Sequence, residues 1–137
     1  MSRFHRRAHF QPKANVPMFT ETRDRLAMEM RMAGETLVNR PSIDSYNTLS
    51  KIFAVLTRAG MAGDIVGPGA RIMCAICDRY EETRAITVEC EETDGLRQAI
   101  ANIDAGLHRI PLQRIAQAVV EVEVFATSVD LDSTAGG

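Results

Sequence analysis

Cys74 and Cys77 stand three residues apart in the run Arg71-Ile72-Met73-Cys74-Ala75-Ile76-Cys77, with Cys90 and His108 downstream. A zinc centre would need these groups as thiolates and imidazole in tetrahedral array. Zinc-binding pairs of this spacing sit in tight turns, whereas this run reads as an apolar helix. Packing of the thiols as small apolar groups is therefore the expectation, and neither a metal nor a cofactor is assigned. A thioredoxin-like redox role needs the pair at a helix start within a βαβ unit, and that setting is absent.

Other chemistry-bearing patterns are weaker. Glu81, Glu82, Glu89, Glu91, Glu92 and Asp94 form an acidic cluster. Paired carboxylates can bind cations or trade protons, but no Glu-x-x-His pair of the di-metal bundles occurs. A solvated acidic face, with favourable charge at a helix start near residue 91, is the reading. Gly67-Pro68-Gly69-Ala70 lacks the Gly-Lys-Ser/Thr ending of a phosphate loop and is read as a turn. There is no Gly-x-Ser-x-Gly elbow. Leu112–Ala116 is not followed by a turn and recognition helix. No reaction chemistry emerges, and the chain is expected not to be an enzyme.

Charge is the strong asymmetry. The first twenty residues hold Arg3, Arg6, Arg7 and Lys13 and no acid. Residues 21–137 hold 12 basic and 18 acidic groups, a formal −6. A positive arm on a negative body can attract phosphate or acidic protein over a distance. Phe4 and Phe10 in the arm could stack on bases. Arg outnumbers Lys 14 to 2, but the arginines are spread along the chain, so the bias does not itself mark a phosphate site.

These groups must be positioned by helices. The 137 residues suit one domain, large enough for a core without metal or disulfide staples. With 5% aromatics and no Trp, that core must be built from Ile, Leu, Val, Ala and Met. Residues 1–19, broken by Pro12 and Pro17, read as a basic arm or loop. Leu26, Met30, Ala33 and Leu37 form a helical seam that ends at Arg40-Pro41. Ser42 caps a second helix carrying Tyr46, Leu49, Phe53 and Leu56, and Ala59-Gly60 stops it. Four glycines and Pro68 make 60–69 a connector within a single domain over 20–127. A third helix over about 69–86 presents Ile72, Ile76, Tyr80 and Thr83, and Ile86-Thr87-Val88 reads either as an extended piece or as its continuation.

Leu96, Ile100, Ile103, Leu107 and Ile110 give the cleanest heptad, over about 91–109. Pro111 interrupts it. Leu112, Ile115, Val119, Val122 and Ala126 follow, and the alternation through Val119–Phe125 is read as helix in preference to strand. The last two seams are expected to pack as a hairpin around Pro111. Residues 128–137 read as a disordered tail. The fold class is all-α: a bundle of four to five helices with a flexible basic N-terminal arm.

The functional expectation is a small accessory protein that binds another protein, as adaptor, inhibitor or regulatory subunit. Its character suits a bacterial mobile element or phage. Met28 and Met32 lie off the first seam and are candidate partner contacts, because Met adapts to varied surfaces. A homodimer is a further expectation. The alternative is a nucleic-acid-binding accessory protein using Arg3, Arg6, Arg7 and Lys13 of the arm, with Arg23, Arg25 and Arg31. No segment reads as a signal peptide or membrane span, and three cysteines suit a reducing cytoplasm.

Overall fold

A computed structural model describes the backbone of residues 4–136 and the side chains of residues 22–124. Five α-helices follow one another: α1 Phe4–Asn39, α2 Ile43–Arg58, α3 Gly63–Thr83, α4 Cys90–Gly106 and α5 Leu112–Gly136, with a 3-10 turn at Leu107–Arg109. No strand occurs among the described residues, so the all-α expectation holds. The flexible arm expected over 1–19 and the disordered tail expected over 128–137 fall on side chains outside the described range. The backbone helices α1 and α5 run into both segments.

Local chemistry sets the breaks. Arg40-Pro41 ends the first helix. Ser42 then caps α2: its hydroxyl accepts from the Ser45 amide at 3.1 Å, and Ser45 Oγ accepts from the Ser42 amide at 3.2 Å. At the other end Gly60 takes φ +99°. The Gly60 amide donates to the Thr57 carbonyl and the Met61 amide to the Leu56 carbonyl, the paired bonds of a Schellman stop. Met61 and Leu56 are both buried, so the stop is also an apolar contact.

The first four helices pack antiparallel, each on the next. α1 contacts α2, α2 contacts α3, α3 contacts α4, and α4 closes the ring on α1. Cross-helix contacts fix the directions: Arg31 meets Asp104 and Glu35 meets Arg97 between α1 and α4, while Tyr46 meets Met73 between α2 and α3. α5 lies outside this ring, on α2 and α1. The core is aliphatic, with Met30, Leu37, Leu49, Leu56, Ile76, Leu96, Ile103 and Ile115 its largest fully buried side chains.

Three expectations are corrected. First, the connector is only 60–62, because α3 begins at Gly63 and runs through Gly67-Pro68-Gly69. Gly69 is there for contact, not for a turn: a Cβ on it would lie 2.9 Å from Phe53 Cε2 and 3.4 Å from Ala99 Cβ. Second, the buried stripe of α3 is Val66, Gly69, Met73 and Ile76, with Ile72 and Tyr80 half-buried and Thr83 exposed. Third, α4 and α5 do not pack as a hairpin. Among the described residues their backbones do not approach each other closely, and α1 packs on both. Ile110, extended at φ −87° and ψ 130°, and Pro111 redirect the chain to the α1–α2 side. Residues 84–89 are irregular, so α3 does not continue through Ile86-Thr87-Val88. Val119–Phe125 belongs to α5, as its helical reading required.

The Gly69 contact generates a paired test. Gly69→Ala should destabilise the chain by about 1–3 kcal/mol through overpacking against a stiff ring. Gly63→Ala, where a Cβ meets nothing within 4 Å, should be neutral or stabilise by up to about 1 kcal/mol. Urea melts of both variants check this; a stabilising Gly69→Ala would refute the close α2–α3 approach.

Candidate functional site

The sequence-predicted residues divide into three groups. Arg3, Arg6, Arg7 and Lys13 lie outside the described side chains. Arg23 is half-buried, and its Nη2 donates to the Ile110 carbonyl at 3.1 Å. Its Nε is buried without a hydrogen-bond partner. Arg23 thus satisfies the carbonyl at the chain break before Pro111, and its guanidinium is held inside the fold. Arg31 pairs with Asp104 at 2.9 Å, whereas Arg25 is exposed. Met28 and Met32 are 49% and 62% exposed, while Met30 between them is 1% exposed.

Helical geometry explains that alternation. At 100° per residue, Met28 and Met32 fall on one side of α1 and Leu26, Met30, Ala33 and Leu37 on the other. Beside Met32 a mostly apolar groove of about 320 Å³ runs between α1 and the start of α2, lined by Glu29, Met32, Ala33, Thr36, Ser45 and Thr48. The Ser42–Ser45 capping box engages donors at the α2 N-terminus, so this groove has the character of a shallow apolar trough. Val120 and Val124 of α5 are also outward-facing, at 61% and 60% exposure.

The acidic cluster resolves into separate roles. Glu89 is the N-cap of α4 and Glu92 its N3 partner, whose Oε1 accepts from the Glu89 amide at 3.0 Å. Arg79 of α3 donates to both Glu92 oxygens, at 2.9 and 2.5 Å, and to the Thr87 carbonyl at 2.7 Å. One guanidinium therefore ties the end of α3, the 84–89 segment and the start of α4. Hydrogen bonding from Arg79, opposed by burial, holds the Glu92 carboxyl below its ordinary range. Glu81, Glu82, Glu91 and Asp94 are exposed. Sequence reasoning missed Arg79, because Glu is a rare N-cap and nothing in the local spacing points thirteen residues back.

The thiols do not converge as a set. Cys90 is the first residue of α4 and exposed, His108 lies in the 3-10 turn, and Cys74 and Cys77 are on α3. No group of three His, Cys, Asp or Glu suited to one metal ion occurs among the described residues. Tyr46 is the neighbour of the α3 pair. Its hydroxyl donates to the Met73 carbonyl at 3.1 Å, and burial together with the adjacent Cys77 thiol pushes it up to about 12. It therefore remains a donor throughout the neutral range. No helix among the described residues is long and apolar enough to cross a membrane.

Glu92 ionises more readily in the folded chain than in the unfolded chain. Its pairing with Arg79 therefore contributes fully above the ordinary carboxylate range and is lost as pH falls through the folded value. Glu92→Gln should cost about 1 kcal/mol at neutral pH, a partly screened charged hydrogen bond, and clearly less near pH ~3, below the ordinary carboxylate range. Denaturant melts at the two pH values check this; an equal loss at both would show that the pair acts through shape alone. Comparison with known protein families, with characterised proteins and with solved structures finds no match for this chain.

Proposed function

We propose that this chain is a non-catalytic helical accessory protein that binds another protein through the outward face of α1. The observation that carries the reading is the exposure of Met28 and Met32, one turn apart and opposite a complete core seam. Their burial is not needed to fill the bundle, since Met30, Ala33 and Leu37 already do so. Full burial of a Met is worth roughly 1.5–3 kcal/mol, and covering what remains exposed of Met28 and Met32 recovers part of that; the unbranched thioether adapts to an irregular partner. Arg25 on one side and the Glu35–Arg97 pair, at 2.9 Å, on the other give that face a polar rim.

The charge asymmetry favours a second reading, binding of nucleic acid through the arm. With Arg23 engaged by Ile110 and Arg31 by Asp104, this reading rests on Arg3, Arg6, Arg7 and Lys13. Four phosphate contacts would give a log–log salt slope of about −3 to −4.

Two experiments separate these readings. Met28→Glu/Met32→Glu should abolish co-purification of a defined host protein while leaving the melt within about 0.5 kcal/mol, as surface changes do; retained binding would exclude this face. Deletion of residues 1–13 should leave that complex intact. If the deletion instead removes a salt-sensitive nucleic-acid complex, the second reading replaces the first. Sedimentation of the purified chain tests the homodimer expected from the sequence.

A further inference from the structure

Cys74 and Cys77 have a setting that neither an apolar filler nor a zinc ligand requires. Both are free thiols in the middle of α3, Cys74 exposed and Cys77 half-buried. Three residues apart on a helix, their Cβ atoms stand about 5–6 Å from each other. With Ala70 and Met73 they fall within an arc of about 100°, and α2 fixes what that arc faces. Tyr46 of α2 donates to the Met73 carbonyl, its hydroxyl is in hydrogen-bond contact with Cys77, and Cys74 lies close enough to act on it electrostatically. Tyr46 thus anchors the α3 backbone one residue before Cys74, with Cys77 beside its hydroxyl. Cys74, but not Cys77, lines a cleft of about 240 Å³ beside it, together with Tyr46, Ser50, Phe53, Thr57 and Met73.

We infer that Cys74 and Cys77 form a vicinal dithiol site at the α2–α3 seam, which takes a soft, thiophilic centre of the monovalent copper or trivalent arsenic class from the exposed Cys74 side. Distance separates this from the alternatives. A direct disulfide needs Cβ atoms about 3.5–4.5 Å apart. Drawing the pair together would distort α3 next to Met73 and Ile76, both buried. A bridging atom removes that demand, because two sulfur bonds of about 2.3 Å span the helical spacing. Zinc would want four ligands, and no third His, Cys, Asp or Glu joins the pair among the described residues. Two thiolates without carboxylates select soft ions over hard ones.

The reaction with an organic arsenoxide is balanced without an oxidant. Two thiols and one arsenoxide give a cyclic dithioarsenite and one water, with both thiol protons leaving in that water and arsenic remaining trivalent. Binding of monovalent copper instead releases the two protons to solvent.

The test uses the full, reduced chain and one equivalent of phenylarsine oxide, read by intact mass. The expected product is a single phenylarsenic adduct that survives excess 2-mercaptoethanol and is removed by dithiothreitol. Cys74→Ser and Cys77→Ser should each weaken retention at least about 100-fold, because the second bond is intramolecular. Cys90→Ser should leave it unchanged. Alanine at either position gives the same readout if serine disturbs the helix, with circular dichroism confirming the fold. Titration with monovalent copper against a chromophoric chelator should reproduce the pattern. An adduct displaced by the monothiol, or one retained by either single variant, would overturn the site.

Discussion

The bundle depends on how closely its helices approach at three glycines. The place of a side chain at Gly69 is taken by the Phe53 ring, at Gly95 by Ile72 and at Gly34 by Ile100. These are the α3–α2, α4–α3 and α1–α4 contacts, three of the four sides of the ring. With so few aromatics, the core cannot rely on large rings to span wide gaps between helices. It relies on short interaxial distances, so that Leu, Ile and Met side chains reach across and meet. A glycine inside a helix costs about 1 kcal/mol relative to alanine. That cost is offset where the missing methyl lets a large apolar neighbour become fully buried. The same constraint explains why Pro68 is tolerated inside α3: the hydrogen bond it cannot make is one local loss, while Val66, Gly69 and Met73 on the buried face hold the turn in place.

Charge arranges this core more than it stabilises it. Arg31–Asp104 and Arg97–Glu35 link α1 to α4, and Arg58–Glu121 and Lys51–Glu123 link α2 to α5. All four pairs are substantially exposed, and such pairs contribute only about 0–1 kcal/mol each. Their consistent antiparallel register gives them another value: a one-turn slip of α4 on α1 would set Arg31 and Arg97 away from both acids. Arg79–Glu92 is different in kind, because it is more buried, bidentate and coupled to a backbone carbonyl. It closes the longest irregular segment of the ring, where Arg84 adopts a left-handed conformation unusual for a residue with a side chain.

The sequence carried the faces of the helices better than their partners. The seams through Leu26–Leu37, Leu49–Leu56 and Leu96–Ile110 are all buried, because a run of branched aliphatics at helical spacing has one low-energy solution. The α3 stripe was read one residue out of phase because Gly69, which sits at its centre, contributes no apolar side chain to count. The α4–α5 hairpin failed for a related reason: a seam says which face is covered and nothing about what covers it. Reading the glycines as breakers moved the start of α3 by several residues. At the candidate site, Met28 and Met32 were legible as off-seam residues. Arg23 was not legible as a structural residue, since its partner is a backbone carbonyl made available by Pro111, eighty-seven residues away.

The ring topology also makes the two functional readings independent. α1 and α3 are diagonal across the ring, with no close backbone approach among the described residues. The Met28–Met32 face points away from the core on α1, while Cys74 opens onto the seam between α3 and α2. A protein lying along α1 over Met28 and Met32 would leave that cleft uncovered. An ion bridging Cys74 and Cys77 would in turn draw on side chains that do not reach α1. The two sites can communicate only around the ring, through α2 by way of Tyr46 and the buried Leu49 and Phe53, or through α4 by way of the buried Leu96, Ile100 and Ile103. These are closely packed core residues, and coupling needs an element with two discrete arrangements. Binding at one site is therefore expected to leave the affinity of the other unchanged.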